Sequence, residues 1–358
     1  MTAVTLVINP GSTSTKLALF ASEDVRQEET IRHPQSELAA YENLLDQIDY
    51  RLSLVESFLT RCLSEDDQLN GIVARGGLLQ AIPGGTYAVN ETMLADLMAS
   101  RYGLHACNLG AILADKLARK FDVPAYIVDP VVVDELNPLA RYSGVKEFDR
   151  RSVGHALNQK AMARQACLDL DKKYEDSQVI VAHMGGGISI GAHSHGQMID
   201  MVNGLDGEGP FTPERSGALP LFELADYILT NDMSMDQIKS WLVGNSGLMS
   251  YLGETDLRIV EENIQAGDQN AAQVVEAMSY QVAKSMVSLA AVVKGQVDGL
   301  VLTGGLAYSQ AFTEAIKERI DWLAPVCIYP GEQEMEALYQ GFMRVVNGQE
   351  KAKTYLHN

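Results

Sequence analysis

Hydrophobic and polar positions along the chain follow two periods, and together they predict a mixed α/β protein. Residues 3–8 and 16–20 are apolar runs on either side of the turn sequence NPGSTS, which predicts a β-hairpin. Between residues 36 and 63 the apolar positions recur at helical spacing, which predicts one amphipathic helix or two. The same patterns predict further elements in this half, namely strands at 71–75, 86–90 and 124–130 and helices at 91–101 and 106–121.

The second half of the chain repeats this order of a hairpin, a glycine turn and later helices. After a helix at 155–172, apolar runs predict strands at 179–185, 188–193 and 198–202. Helices are then predicted over 221–295, followed by a strand at 299–305 and helices at 308–321 and 333–347.

Domain organisation follows from length and from one change in composition. A chain of 358 residues exceeds what one hydrophobic core usually serves, so two domains are expected. Charged and small residues interrupt the apolar pattern at 140–154, which places the boundary at about residue 150. We therefore expect domains at 1–150 and 151–336, and leave open that a C-terminal helix at about 337–358 returns to the first domain.

Charge limits the classes of partner. The chain carries 28 Lys+Arg against 47 Asp+Glu, a formal net charge of −19. Nucleic acid and anionic membrane surfaces would be repelled by such a surface, so neither is expected as a partner. A small anionic ligand held by local groups stays compatible with this charge.

Cysteine usage and the N-terminal sequence indicate the compartment. Four scattered cysteines show neither disulfide-like nor metal-like spacing and are expected to be reduced thiols. The run MTAVTLVINPG has no basic region and reaches proline and glycine too early for a signal peptide, and no apolar run approaches 18 residues. A cytoplasmic protein is expected.

Two glycine-containing turns are the first candidates for chemistry. NPGSTSTK at 9–16 combines a glycine, hydroxyl side chains and a lysine, and HMGGGIS at 183–189 contains three consecutive glycines. Such turns can hold phosphate oxygens with backbone N–H groups and hydroxyls, although a single one is more often a plain turn. TGG at 303–305 adds a third turn, and neither a GxxxxGK[ST] nor a strand-bound GxGxxG sequence occurs. A phosphate clamp built from two similar halves is the favoured interpretation.

One histidine pair was weighed as a metal site. His193 and His195 alternate at strand spacing and could share a face. Without an evident third ligand, a surface turn explains them better.

Six separated motifs resemble those of the acetate and butyrate kinases, a family within the fold superfamily of actin and sugar kinases. In chain order they are NPGSTSTK at 9–16, ARGG at 74–77, GHALNQKA at 154–161, AHMGGG at 182–187, ERSG at 214–217 and DLR at 256–258. The length and the run ARGGLLQAIPGGTYAVN resemble the butyrate branch more closely than the acetate branch. The resemblance implies an α/β fold of two duplicated actin-like (ribonuclease H-like) domains with an active-site cleft between them.

The resemblance also implies binding sites for ATP and Mg²⁺. For the metal it implies Asn9 and Glu334, with Glu332 as a rival because PGEQEME holds three close carboxylates. The acetate branch continues its adenine-side turn with Gly-Glu-Asn, whereas this chain has Ala307, Tyr308 and Ser309, which leaves the base preference open. The nucleotide residues implied by the resemblance are Asn9, Ser12, Lys16, His183, Gly185, Gly186, Gly187, Asp256, Arg258, Gly304 and Gly305.

The catalytic residues implied by the resemblance are Asp129, His155, Arg215, Arg75 and His105. Arg75 takes the place of a histidine in the acetate-branch sequence, and we interpret it as a cation on the substrate side. A carboxylate acceptor is already ionised at pH 7, so no general base is needed and Asp129 is interpreted as a positioning or metal-organising group. Arginine, histidine and Mg²⁺ suit neutralisation of the phosphoryl oxygens. Taken without the resemblance, Asp129 could merely begin a turn and Arg215 lie in a loop.

Small residues predict the acceptor. Ala74 and Gly154 stand where the acetate branch has larger residues, and with Leu104 they are expected to form an enlarged apolar pocket. The resemblance thus implies reversible, ATP-dependent phosphorylation of butanoate to butanoyl phosphate, which can also run toward ATP synthesis. The alternatives are an acetate, propionate or branched-chain fatty acid kinase and, more remotely, an actin-like ATPase switch. A homodimer or larger homo-oligomer is expected from the family alone.

Overall fold

The computed structural model describes residues 2–22, 24–205 and 207–357. The chain forms two compact units, one of residues up to 134 together with those from 333 onward, and one of residues 135–332. The strands are β1 (Thr2–Pro10), β2 (Ser14–Ala21), β3 (Asp24–Arg32), β4 (Asp67–Arg75), β5 (Thr86–Ala88), β6 (Ala125–Val128), β7 (Gln178–Met184), β8 (Ile188–Ser194), β9 (Gln197–Val202), β10 (Gly299–Gly304), β11 (Val326–Pro330) and β12 (Lys353–Thr354).

Both units also contain helices. They are α1 (Gln35–Leu38), α2 (Ile48–Cys62), α3 (Glu91–Met98), α4 (Asn108–Phe121), α5 (Ala156–Asp169), α6 (Leu221–Thr230), α7 (Met235–Leu242), α8 (Leu248–Leu252), α9 (Leu257–Gln265), α10 (Gln269–Ala290), α11 (Gln310–Ile320) and α12 (Glu334–Val346). The predicted mixed α/β class is confirmed.

The first unit is built on a seven-stranded sheet in the order β12-β5-β6-β4-β1-β2-β3. Its centre is parallel, because β4 pairs with both β1 and β6 in parallel register. The middle of β1 is buried continuously, as expected for a central strand covered on both faces. The carboxyl ends of β1, β4 and β6 therefore lie side by side, an edge at which α/β proteins commonly bind ligands.

Two helices cover this sheet through close backbone approaches. A Cβ at Gly110 of α4 would lie 2.2 Å from the backbone oxygen of Arg75, so only glycine lets α4 approach β4 so closely. On α12, a Cβ at Gly341 would lie 2.4 Å from a methyl carbon of Val128. These contacts explain why the C-terminal helix belongs to the first unit.

The second unit is built on a five-stranded sheet in the order β11-β10-β7-β8-β9. β7 and β8 form an antiparallel hairpin, and β10 runs parallel to β7. The long helix α10 buries Met278, Val282 and Met286 in the core of this unit. The glycine turn between β7 and β8 thus lies beside the end of β10.

The first change of unit falls between residues 134 and 135, whereas the sequence pattern placed it near 150. Residues 137–150 bind to strands of the second unit: the Asn137 N–H donates to the Ile199 carbonyl at 2.8 Å. Arg150 forms ion pairs with Asp200 at 3.1 Å and Glu208 at 2.9 Å. The charged stretch that was expected to hold the boundary therefore contacts the second unit through Asn137 and Arg150. Across the described ranges, we find no helix with the length and apolar character needed to cross a membrane.

Candidate active site

Three site residues of the first unit meet at the carboxyl edge of its sheet. Asn9 ends β1, Arg75 ends β4, and Glu334 begins α12. The Asn9 amide donates to Glu334 Oε2 at 2.6 Å, and Arg75 forms an ion pair with Glu334 Oε1 at 2.5 Å. The structure thus brings Glu334 to Asn9, whereas the backbone carbonyl of Glu332 accepts from Asn158.

Asp129 follows β6 directly and is held in an unusual backbone conformation. Its φ is +38°, a region that aspartate and asparagine tolerate better than most residues. Its Oδ1 accepts from the Gly85 N–H at 2.7 Å, and its own N–H donates to the Gly85 carbonyl at 3.0 Å. The buried carboxyl is therefore fixed next to the end of β4, beside the strand that carries Arg75.

His105 lies in the loop before α4. The Cys107 N–H donates to its Nδ1 at 3.3 Å, so Nδ1 acts as an acceptor. Partial burial, assisted by the charge of Arg75, lowers the pKa of His105, while burial raises the pKa of Cys107 to about 11. His105 is thus held as a neutral imidazole near the Arg75 guanidinium.

The turn after β1 is supported by an arginine that the sequence analysis missed. Arg51 of α2 is fully buried and donates to the carbonyls of Gly11 at 2.8 Å and Ser12 at 3.1 Å. It also donates to Thr15 Oγ1 at 3.1 Å. Ser12 is exposed on this turn, and Lys16 is exposed near the start of β2. Arg51 looked like one more polar position on an amphipathic helix, and nothing in its spacing marked it as the residue that orders the turn.

A pH effect follows from His33, which is buried beside this arginine. Burial and the Arg51 charge lower the pKa of His33 from 6.5 to about 4. Between these values the unfolded chain binds a proton that the folded chain does not, so the free energy of unfolding should fall as pH drops below 6.5. Urea unfolding at about pH 7 and about pH 5 should show this loss, and His33→Gln should reduce it. Equal pH dependence in the variant would contradict the assignment.

In the second unit, Arg215 lies against the glycine turn between β7 and β8. A Cβ at Gly187 would lie 2.3 Å from a terminal nitrogen of Arg215, so the guanidinium rests on the bare glycine backbone. Thr212 Oγ1 donates to the Gly186 carbonyl at 2.5 Å and accepts from the Arg215 N–H at 3.0 Å. Arg215 also donates to the Gly204 carbonyl. Its Nε is buried and has no hydrogen-bond partner within the part of the chain that the structure describes.

Two histidines stack beside this turn. The rings of His155 and His183 lie 3.9 Å apart at their centroids with an interplanar angle of 20°. His155 Nδ1 lies 2.9 Å from Ser189 Oγ, and His183 Nδ1 lies 2.7 Å from Asn158 Oδ1. A Cβ at Gly185 would lie 3.9 Å from His183 Nε2, so the ring borders the glycine turn.

The end of β10 borders the same turn. Gly304 has φ +90°, and a Cβ there would lie 2.4 Å from the Met184 carbonyl oxygen. At Gly305 a Cβ would meet no described atom within 4 Å, so its backbone is accessible. Ala307 is buried and Tyr308 is exposed, while Ser309 caps α11 through the Phe312 N–H at 3.0 Å.

Asp256 and Arg258 lie at the start of α9. Asp256 caps the helix through the Arg258 N–H at 3.0 Å, and the two side chains form an ion pair at 2.5 Å. The hydrogen bonds from Arg258 lower the pKa of Asp256 to about 2. Arg258 is 86% exposed, so this ion pair lies at the surface of the second unit.

The three residues expected to line the acyl pocket have different surroundings. Ala74 is fully buried in the core of the first unit and lies against Gly110 of α4. A Cβ at Gly154 would lie 2.3 Å from the terminal methyl of Met201, so packing requires its small size. Leu104 is 44% exposed next to His105.

The donor set at Asn9 and Glu334 suits Mg²⁺, which prefers amide and carboxylate oxygens and keeps several water or phosphate ligands. Among the described residues, no three His, Cys, Asp or Glu side chains are grouped as a metal cage. Such a sparse set fits a cation that arrives with a phosphate ligand. The glycine cradle under Arg215, with its unsatisfied Nε, fits a phosphate.

Comparison with known proteins gives a consistent result. The sequence model described as the Acetokinase family matches residues 140–325. A curated Enterococcus faecalis protein named "Probable butyrate kinase" is 57% identical over 350 residues, which covers 98% of this chain and 97% of that protein.

Solved structures agree at the level of the fold. The acetate kinase of Porphyromonas gingivalis matches with a TM-score of 0.77 and 18% identity, covering 95% of this chain and 99% of that one. A propionate kinase from Francisella tularensis matches with a TM-score of 0.69 and 20% identity, covering 94% and 98%. The predicted fold class, α/β with duplicated actin-like domains, is confirmed.

Proposed function

Because the chain belongs to the acetokinase family, we propose that it transfers the γ-phosphoryl group of ATP to a short-chain carboxylate, with butanoate as the preferred acceptor. The family resemblance predicted from six motifs is confirmed by these matches. The observation that carries the proposal is the 57% identity to a probable butyrate kinase along nearly the whole chain. Its chemical support is a set of cationic and N–H groups arranged at glycine turns in an acidic protein.

We assign the acceptor to the first unit. Arg75 is a cation that can pair with the acceptor carboxylate, and His105 offers a neutral ring beside it. Leu104 is proposed as a wall against the acyl chain, since it is exposed on the same loop. Asp129 organises this edge by its fixed hydrogen bonds to Gly85.

We assign the nucleotide to both glycine turns of the second unit and to the turn after β1. Gly185, Gly186 and Gly187 offer backbone to the phosphates, with Ser12 and Lys16 as further contacts. Gly304 and Gly305 are proposed for the adenine side, and Asp256 with Arg258 for the adenosine. Asn9 and Glu334 would hold the Mg²⁺ of MgATP, which would neutralise phosphate charge.

The reaction itself needs alignment and charge neutralisation. One oxygen of the acceptor carboxylate forms a bond to the γ-phosphorus while the bond from that phosphorus to the ADP oxygen breaks. The acceptor is ionised at pH 7, so no proton is removed. Arg215 and His155 can donate to the equatorial oxygens as charge develops on them.

Acyl chain length decides among acceptors. Trapping the acyl phosphate with hydroxylamine, across acids of two to five carbons, should give the highest kcat/KM for butanoate. One methylene is worth about 0.8 kcal/mol, so propionate and pentanoate should follow within about four- to tenfold. A chelator should abolish the signal and added Mg²⁺ restore it. A clear preference for acetate would contradict the butanoate assignment.

The same assay separates a kinase from an ATP-driven switch. If ATP is hydrolysed at a rate that no short carboxylate changes, and no acyl phosphate is trapped, the proposed function is wrong.

The four cysteines are unpaired thiols, which fits the reducing compartment in which we place the reaction.

We also propose that the chain forms a homodimer through α6. All residues of this helix are exposed or half-buried, and Phe222 and Leu229, one heptad apart, are 90% and 80% exposed. An apolar helix face of this kind marks an interaction site, and a second copy of the chain is the partner we infer.

Light scattering should show a dimer that the double substitution Phe222→Asp and Leu229→Asp converts to a monomer. Leu139→Asp, at a residue that is 85% exposed elsewhere, should leave the mass unchanged. A monomeric wild-type chain would refute the interface.

A further inference from the structure

The stacked histidines are held by two consecutive amide side chains on the first turn of α5. Asn158 contacts His183, and Gln159 contacts Ser189, which in turn contacts His155. Asn158, Gln159 and Ser189 are all at most 2% exposed. Buried amides must satisfy their donors and acceptors locally. The orientation of each amide therefore shows which ring nitrogen of the neighbouring histidine is protonated.

The orientation of Asn158 is fixed by a backbone carbonyl. Its Nδ2 lies 2.6 Å from the Glu332 carbonyl oxygen, which can only accept, so the NH₂ group must face that oxygen. Its Oδ1 therefore faces His183 Nδ1 at 2.7 Å. Because an amide oxygen can only accept, His183 Nδ1 must carry a proton.

Gln159 is oriented in the same way. Its Nε2 lies 3.2 Å from the Ser189 carbonyl oxygen and 2.8 Å from Ser189 Oγ, so it donates to both. Its Oε1 then accepts from His193 Nε2 at 3.2 Å, and His193 Nδ1 accepts from the Tyr174 hydroxyl at 2.8 Å. Burial keeps the pKa of His193 well below 6.5, so this ring is neutral and has one donor and one acceptor, as the chain requires.

Ser189 connects the Gln159 amide to His155 by hydrogen bonds. Its Oγ already accepts from Gln159, and the residue is fully buried. The same hydroxyl lies 2.9 Å from His155 Nδ1. The Ser189 hydroxyl then donates its hydrogen bond to His155 Nδ1. Because Nδ1 accepts this bond, the ring proton of His155 lies on Nε2.

We propose that Asn158 and Gln159, the latter through Ser189, hold the two stacked rings in opposite tautomers, His155 protonated on Nε2 and His183 protonated on Nδ1. Nε2 of His155 is then a hydrogen-bond donor, and Nε2 of His183, which borders Gly185, is an acceptor. The tautomers stand on these contacts alone. Their use, a neutral N–H donor for the phosphoryl group at His155, rests on the proposed function. Asn158, Gln159 and Ser189 are positioning residues in this scheme.

The test is the ¹⁵N spectrum of the full chain labelled at its seven histidines, in which pyrrole-type and pyridine-type nitrogens are distinct. His155→Gln and His183→Gln assign the two rings. In the wild type we expect a pyrrole-type Nε2 for His155 and a pyrrole-type Nδ1 for His183. The same tautomer on both rings of the wild type would overturn the proposal.

Two variants then separate the two amide connections. Asn158→Leu should release His183 into exchange between tautomers and leave His155 unchanged. Ser189→Ala should remove the hydrogen bond at His155 Nδ1, shift that resonance and leave His183 unchanged. Asn263→Leu, at an exposed position of α9, and Ser194→Ala, on the same strand as Ser189, are the matched controls. If neither variant moves its own histidine, the amides do not set the tautomers.

Kinetics connect the tautomers with the reaction. Ser189→Ala should lower kcat for acyl phosphate formation about tenfold with little change in either KM, because a less fixed donor stabilises the transition state less. An unchanged kcat would overturn the role of the tautomer in the reaction. A chain with the opposed tautomers and no acyl phosphate formation would refute the proposed function and leave the tautomer assignment intact.

Discussion

Replacing Arg215 with glutamine is expected to lower kcat for acyl phosphate formation about 1,000-fold, with only small changes in both KM values. The guanidinium rests on Gly187 in the turn that we propose to hold the phosphates, and its Nε is buried with no partner among the described residues. An unsatisfied buried donor is costly, so a phosphoryl oxygen that takes its hydrogen bond gains much of that cost back. Because charge on those oxygens is redistributed in the transition state, the loss should appear in kcat.

The controls for this prediction are a conservative change at Arg215 and a change at one other arginine. Arg215→Lys keeps the charge without the planar fork and should recover only part of the rate. Arg258→Gln removes an arginine that is 86% exposed and that we propose to contact the adenosine, so it should alter KM for ATP and leave kcat nearly unchanged. Urea unfolding of each variant checks that the Gly204 contact of Arg215 is not needed for folding. A loss in kcat below tenfold for Arg215→Gln would contradict its role.

Sequence periodicity predicted the strands that have a buried face and missed the strands that lack one. β1 and β7 are apolar and were predicted, whereas β3 has a largely exposed burial pattern and alternates too weakly to be recognised. β12 has two residues and is placed by its pairing with β5. Short or polar edge strands are specified by their neighbours in the sheet, and a single sequence does not display those neighbours.

Some residues of the candidate site were found from the sequence, and others were found only in the folded structure. Asn9 and Arg215 became candidates because the motifs that contain them, NPGSTSTK and ERSG, resemble those of a known family, and their roles stay predictions. Arg51 was missed because its contacts with Gly11 and Ser12 join positions about forty residues apart. Gly154 was interpreted as space for an acyl chain, yet its neighbour Met201 fills that space, a contact that only the packed unit reveals.

Asp129→Asn is expected to lower kcat about 100-fold with a change in the free energy of unfolding within about 1 kcal/mol. Asparagine tolerates the positive φ of +38° at this position and keeps an oxygen to accept from the Gly85 N–H. The substitution therefore removes the negative charge and preserves the local structure. A loss in kcat at unchanged stability, measured by the trapping assay and by urea unfolding, would assign the effect to charge.

Asp129→Ala is the informative partner of that variant. Alanine lacks the acceptor for the Gly85 N–H and is strained at positive φ, so this variant should lose about 2–3 kcal/mol of stability in addition to the rate. If Asp129→Asn retains full activity while Asp129→Ala does not, the carboxyl group acts by holding the Gly85 turn and its charge is not used. If both lose kcat equally, the charge itself organises the metal or the phosphoryl group, because the hydrogen bond that asparagine preserves does not rescue the rate.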